Sequence, residues 1–441
     1  MQVVNAERVS SVLDHSLARL STDYLPHAQV RQLRWLWMDG VFGAISAAFF
    51  SNFVGLFAVA FGASNAQVGQ LTAIASLCGL LALFPGARAI QWLGGRRKAI
   101  VLLFGGGVAR LSVLAWALVP LLVHDPAAAI AAIIVLNALN TFGTNFSVPA
   151  STALIADIVP VEMRARFFSH RNPAINLTTL AAIPLAGWLI KVGNRPGSPF
   201  GGYQAVFVLA FLVGALATFA YSGVKDPLPV AAARQAPRLK QTIAALRSAP
   251  GFTGLIVFTL AWNFSVQLAG PFFNVYLVHH LGANMGMVGW LAAAPSISAL
   301  IVQRRLTRLM DQRGSTWVQA VAALLIPILP VGWMLVTAPW QVTLINLTSG
   351  VLWTAFNLAS FNVLLELAPA EARADAAAAF QFVVAGSAVL GPPVGGYLAD
   401  SLGFRPLFAI SAIGRGAAAV AFFLWYFRPV GRHASDQVAD A

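Results

Sequence analysis

Twelve long apolar runs, separated by short polar breaks, constrain this 441-residue chain more than any other feature. They fall at about residues 36–60, 66–90, 98–122, 127–156, 174–192, 203–223, 252–278, 285–303, 316–336, 340–365, 376–399 and 405–427. About 20 apolar residues in a helix cross the hydrocarbon layer. A backbone in lipid must satisfy its own hydrogen bonds, so it spans as a helix or a closed barrel. Runs of this length without period-two alternation exclude the barrel. The sequence therefore predicts an all-α integral membrane protein of twelve transmembrane helices. Only 10% of the residues are charged, against roughly 25% in a soluble domain.

Charge placement predicts the topology. Of the 28 Lys and Arg, 23 fall in the termini and in loops on the same side as the termini. Only Lys191, Arg195 and Arg405 fall on the other side, while Arg110 and Arg415 lie inside spans. By the positive-inside rule both termini are expected in the cytoplasm, in a plasma membrane of the bacterial inner-membrane kind. The net charge of +13 is thus spread over loops, and no nucleic-acid partner is expected. The lone Cys78 excludes an intrachain disulfide and a cysteine metal site. No metal site is expected elsewhere. Residues 1–34 hold Asp14, Arg19, Asp23 and Arg31 with no short apolar signal region, so the first span is expected to direct insertion.

The longest polar break, 224–251, divides the chain into six spans plus six. The expected units are a cytoplasmic segment 1–35, bundles 36–223 and 252–427, the linker 224–251 and a tail 428–441. Within the linker, 238–248 reads as an amphipathic helix at the membrane surface. The halves repeat. Gly62-Ala63 and Val68-Gly69-x-Leu71 recur as Gly282-Ala283 and Val288-Gly289-x-Leu291. Asp157-x-x-Pro160-x-Glu162-x-Arg164 recurs as Glu366-x-x-Pro369-x-Glu371-x-Arg373, and Pro184 and Gly187 recur as Pro393 and Gly396. Repeats of this kind place a substrate site between the halves.

The loop Arg88-Ala-Ile-Gln-Trp92-Leu-Gly-Gly95-Arg96-Arg97-Lys98, its counterpart around Arg308, Asp311 and Gly314, and the repeated Asp157…Arg164 and Glu366…Arg373 pattern resemble the major facilitator superfamily. The resemblance covers nearly the whole chain. The loop departs from the family pattern at Trp92, where an Asp is usual, and at Arg88, where a Gly leads. The resemblance implies two pseudo-symmetric six-helix bundles around a central cavity, and these loops as a cytoplasmic latch. Gly391-Pro-Pro-Val-Gly395-Gly396 resembles an element of family antiporters, but sits in span 11 rather than span 5. Helix packing and bending is its other reading.

The fold so implied puts spans 1, 4, 7 and 10 around the cavity. Counting along them selects Phe50, Asn145, Asn263, Gln267, Trp353 and Asn357 as lining residues. Amides suit an uncharged solute or interhelical hydrogen bonds. Asn137 and Asn346 are repeat equivalents near the outer ends. Ionisable groups in a bilayer are costly and mark function. Asp39 is the best coupling candidate. Arg110, about 18 Å into span 3, and Arg415 are buried charges that either pair structurally or hold an anion.

The expected function is a secondary active or facilitative transporter that moves a small neutral or amphipathic solute by alternating access, with efflux favoured because the predicted cavity lacks charge. One alternative is an uptake permease for a nutrient or organic anion through Arg110 and Arg415. Another, of a different class, is a non-transporting scaffold or sensor. No enzyme constellation is evident. The expected partners are the solute and the bilayer, with the chain as a monomer. No cofactor is expected, and coupling to a proton or sodium ion is left open.

Overall fold

The computed structural model describes residues 27–196, 198–226, 251–368 and 373–426. The expected linker helix 238–248 and the tails lie outside them. Among the described residues, twelve helices are long and apolar enough to cross a membrane. They are α1 (His27–Ala60), α2 (Asn65–Trp92), α3 (Arg97–Leu122), α4 (Pro126–Ile158), α5 (Val161–Gly193), α6 (Gly201–Ser222), α7 (Phe252–His279), α8 (Met285–Arg313), α9 (Ser315–Leu335), α10 (Pro339–Leu367), α11 (Arg373–Leu402) and α12 (Phe404–Tyr426). An even number of spans brings His27 and Tyr426 to one face of the bundle, here the terminal face.

Several helices outrun their apolar stretch. Helix α1 starts at His27, not at 36, and α5 starts at Val161, not at 174. Hydropathy marks the membrane-embedded part, while intrahelical hydrogen bonds carry the helix on into water. Helix α3 contains a π-helical segment, Val101–Val108. Its wider turns shift the phase of every residue that follows.

The largest apolar core joins both halves at the face away from the termini. Phe57, Leu71, Ile190 and Tyr203 of the first half pack there with Phe272, Leu277, Val288 and Phe408 of the second. Nearer the terminal face the cores separate. One contains only second-half residues, among them Trp262, Phe356 and Phe422, and two contain only first-half residues, among them Leu36, Phe146 and Leu154.

Two helix crossings seal the far face. In the first, α2 meets α11: a Cβ on Gly69 would strike the Pro392 carbonyl, and one on Gly396 would strike the Asn65 carbonyl. In the second, α5 meets α8: a Cβ on Gly187 would strike the Met285 carbonyl, and one on Gly289 would come within 2.8 Å of the Ile183 carbonyl. These four are the repeat-equivalent glycines of the sequence. Small residues let helix backbones approach closely, so the duplication has put one close crossing on each side of the seal.

The α2–α11 crossing also carries a charge. The Asp400 carboxylate accepts from the backbone N–H groups of Asn65 (3.1 Å) and Ala66 (2.8 Å) and from Asn65 Nδ2 (2.8 Å). Ser64 Oγ accepts from the Gln67 N–H in the same first turn. The otherwise orphaned donors at the start of α2 are thus shared between its own cap and the other half. Lys191, the repeat equivalent of Asp400, lays its side chain along Gly286 at the start of α8, with Cδ 3.3 Å from where a Cβ would sit.

At the terminal face the same helices part. Phe84 of α2 and Phe382 of α11 are each 64% exposed, and Leu177 of α5 is 64% exposed opposite Leu300 of α8. Gly386 of α11 has open space where its Cβ would be.

Candidate functional site

A cavity of about 460 Å³ lies within the first half. Helix α1 packs on α5 and α6, and the gap it leaves toward α4 is floored by α3 and α6. The lining comprises Asp39, Gly43 and Phe50 of α1, Gly105, Gly106 and Arg110 of α3, Thr141, Asn145 and Thr152 of α4, Arg171 of α5, and Thr218 and Tyr221 of α6, among others. Phe50, Asn140 and Thr141 also line a second cavity of about 400 Å³, walled mostly by α1, α2 and α4 and completed by Gly270, Pro271, Asn274 and Val275 of the other half. The first cavity therefore leads toward the interface between the halves.

Local sequence explains the charged wall. Asp39-Gly40-Val41-Phe42-Gly43 leaves α1 without side chains at two neighbouring surface positions. The Arg171 guanidinium lies where a Cβ of Gly40 would be, and Arg110 Nη2 lies 3.6 Å from the equivalent point on Gly43. Arg110 threads between α1 and α6. Its Nη1 donates to Ser46 Oγ at 2.9 Å, its aliphatic stem fills the space beside Gly214, and Ser46 Oγ in turn donates to the Ala210 carbonyl at 2.7 Å. Asp39 sits within Coulombic reach of both guanidinium groups. Among the described residues, no ion pair ties Asp39 to either arginine. The Nε atoms of Arg110 and Arg171 are buried without a hydrogen-bond partner.

This wall corrects the expectation of an uncharged cavity. The family's span order puts span 3 on the outside of the bundle, which favours a structural pairing for Arg110. The structure instead sets Arg110 on the cavity wall, directly after the π-helical segment that supplies Gly105 and Gly106 to the same cavity. Arg171 was read as a loop residue because it precedes the apolar run. It is in fact the third turn of α5, and only the glycine pair opposite it in α1 signals its place.

Of the lining residues selected from sequence, Phe50 and Asn145 meet Asp39 and Arg110 in this cavity. Asn145 Nδ2 donates to the Thr141 carbonyl of its own helix (3.0 Å), as Asn263 Nδ2 does to the Thr259 carbonyl (2.9 Å). Trp353 lines a separate cavity of about 260 Å³ in the second half, together with Asn346 and Arg415. Gln267 packs on Gly391, and Asn357 is exposed. The structure does not gather these second-half residues with the first-half set. Arg415 is 2% exposed and donates to the Val266 carbonyl at 3.4 Å, with its Nε unpartnered.

The loop residues divide similarly. Gly94 and Gly95 adopt positive φ and turn the chain tightly between α2 and α3. Arg97 is then buried against two carboxylates, Asp157 at 2.6 Å and Asp226 at 3.3 Å, and the Lys98 N–H donates to Asp226 at 2.9 Å. Arg164 caps the end of α4 through the carbonyls of Val159 (3.2 Å) and Ala156 (2.7 Å), where a cation suits the helix dipole. These contacts fasten the first half to itself. Arg88 lies over the Phe84 ring at 4.2 Å. Arg96, Arg308, Asp311, Gly314 and Glu366 sit on or near the terminal face, Arg308, Asp311, Gly314 and Glu366 being exposed. The side chain of Arg373 lies outside the described residues. Gly391 and Gly395 pack α11 onto α7, against Gln267 and the Leu268 carbonyl.

A fold of two six-helix halves, sealed at one face and parted at the other around polar cavities, defines a multi-pass membrane protein of the carrier architecture. The Major Facilitator Superfamily model matches residues 38–389 and 263–440, and the chain belongs to that family. Among curated relatives, the multidrug resistance protein MdtG of Salmonella arizonae is 24% identical over 273 residues, 60% of this chain and 65% of the relative. MdtG of Enterobacter lignolyticus is 25% identical over 271 residues, 60% of this chain and 63% of the relative. The chain thus spans a little under two thirds of the length of these relatives. Among solved structures, a bacterial homologue of the iron transporter ferroportin in an inward-facing state matches with a TM-score of 0.71 and 16% identity, over 90% of this chain and 99% of that one. A bacterial homologue of the lysosomal transporter Spinster, inward-facing and unoccupied, matches at 0.69 and 15%, over 90% and 97%. At such identities the likeness shows the fold.

Proposed function

We propose that the protein is a secondary transporter that moves a small solute by alternating access, held here closed at the external face and open to the cytoplasm. The observation that carries this reading is the split of the core: one shared apolar cluster at the far face, and separate clusters for each half at the terminal face. A scaffold has no need of a seal at one face only. A carrier needs a seal that can move from one face to the other. The basic loops on the terminal face support a cytoplasmic side for that face, in a bacterium that of the inner membrane. The drug-resistance names of the curated relatives support export. The central test is the distance between the exposed far-face loops at His124 and Thr337, measured by pulsed EPR on spin-labelled full-length protein in nanodiscs. Alternating access requires a longer-distance population beside the short one. A single short distance under all conditions refutes it.

A further inference from the structure

Taking the transporter reading as its basis, we infer that the first-half cavity binds the anionic group of a small monoanionic solute, a carboxylate or a phosphoryl oxyanion, between Arg110 and Arg171. The charge count inside the cavity is the starting point. Two guanidinium groups face one carboxylate, Asp39, so the wall holds one positive charge in excess. Buried charges are paired or else costly. Here neither arginine is spent on Asp39 within ion-pair distance, and each keeps a buried Nε–H without an acceptor. Arg415 makes the contrast. It too has an unpartnered Nε, but it stands without a second cation on a smaller cavity and donates to the α7 backbone.

Glycines seat the two arginines in the cavity wall. Gly40, Gly43 and Gly214 vacate the space their guanidinium groups and stems occupy. Ser46 accepts from one Nη of Arg110, which orients the guanidinium plane while Nε packs against Gly214. A guanidinium presents paired donors that match carboxylate and phosphate oxygens. Thr141, Asn145, Thr152 and Thr218 surround the charged wall with hydroxyl and amide groups for the rest of the solute. At about 460 Å³ the space suits a small molecule. Asp39 gives the wall a second function. Within Coulombic reach of both cations, it offsets part of their mutual repulsion when the site is empty, and it competes with the arriving anion for them.

The test uses the purified full-length chain in zwitterionic phosphatidylcholine nanodiscs. The probes are acetate, lactate, benzoate and phenyl phosphate, with acetamide, lactamide and benzamide as neutral counterparts. Thermal unfolding is followed against probe concentration, because a ligand of the folded state raises the midpoint. The expected result is a saturable rise with at least one anion and none with its amide. Arg110→Gln and Arg171→Gln should each raise the half-saturating concentration roughly ten- to hundredfold, the range for a lost charge-assisted hydrogen bond. Asp39→Asn should lower it, an outcome that a purely structural role for the arginines does not produce. Equal protection by the amides, no protection by any anion, or an anion effect that survives both arginine replacements overturns the inference. Where an arginine variant does not fold, the Asp39→Asn arm decides, and unchanged or weaker anion binding counts against the inference. Protection by phosphatidylglycerol nanodiscs alone would assign the anion to lipid and overturn the solute reading. The loop-distance experiment needs no ligand, so failure of the anion site leaves that result intact, and failure of alternating access is read separately.

Discussion

Removing the Asp400 carboxylate should shift the protein toward opening at its far face. Asp400 accepts three hydrogen bonds from the first turn of α2, at 2.8–3.1 Å, across the boundary between the halves. When the halves part, the N–H groups of Asn65 and Ala66 lose this partner and fall back on water. A capping interaction is worth about 1 kcal/mol, and an anion at a helix N-terminus adds about 0.3–1 kcal/mol. Asp400 is exposed, so water recovers part of this, and about 0.5–1.4 kcal/mol remains in favour of the closed face. Asp400→Ala should therefore raise the ratio of open to closed far-face populations about 2- to 10-fold. The ratio is read by pulsed EPR between labels at positions 124 and 337, with Cys78→Ala removing the native thiol. Ser64→Ala supplies the control. Ser64 caps α2 from within its own half in either state, so its loss should lower overall stability by about 1 kcal/mol and leave the ratio alone. An unchanged ratio in Asp400→Ala, or an equal shift in Ser64→Ala, refutes the reasoning.

Three further outcomes are expected. Gly69→Val places a branched side chain against the Pro392 carbonyl and should wedge α2 from α11, lengthening the same loop distance without loss of helix content by circular dichroism. Arg97→Ala leaves Asp157 and Asp226 facing each other without their cation. It should lower stability by about 2 kcal/mol, less than a fully buried pair would cost because Asp157 is half-exposed, and adding Asp226→Asn should restore part of the loss in thermal unfolding. Arg415→Met replaces a buried cation held by one long hydrogen bond with an apolar side chain. It should be neutral or stabilising, and a fall in unfolding midpoint of more than about 4 °C would contradict that account.

The frame was legible in the sequence because lipid permits so few alternatives. The repeats gave finer detail. Asn137 and Asn346, equivalent by position, make equivalent hydrogen bonds, to the carbonyls of Leu71 (3.2 Å) and Leu291 (2.7 Å), which are equivalents themselves. The paired glycines proved to be the crossings of the seal. The charged cavity was hidden for two physical reasons. Hydropathy ends a span where polar residues begin, so the first turns of α5 and with them Arg171 were read as loop. Span order says which helices lie on the outside, not which way each residue of α3 faces, so it set Arg110 away from the cavity that it lines. The amides selected in the second half fall on α7 and α10 as counted, yet Asn263 turns back to its own helix and Asn357 stays exposed, since span order fixes which helix lines a cavity but not which way each rotamer points.

The unlike partners at the two crossings have a consequence for the order of movement. On one side Asp400 grips the positive end of α2. On the other, the equivalent position presents Lys191 to the positive end of α8, where a cation gains nothing from the dipole. One edge of the far face is thus bolted by charge, while the other is held by close packing and one weak hydrogen bond, from the Tyr203 hydroxyl to Met285 Sδ at 3.4 Å. Separation should start along α5 and α8 and travel toward α2 and α11, so that the halves part like a book opened from its fore-edge, with Asp400 at the spine released last.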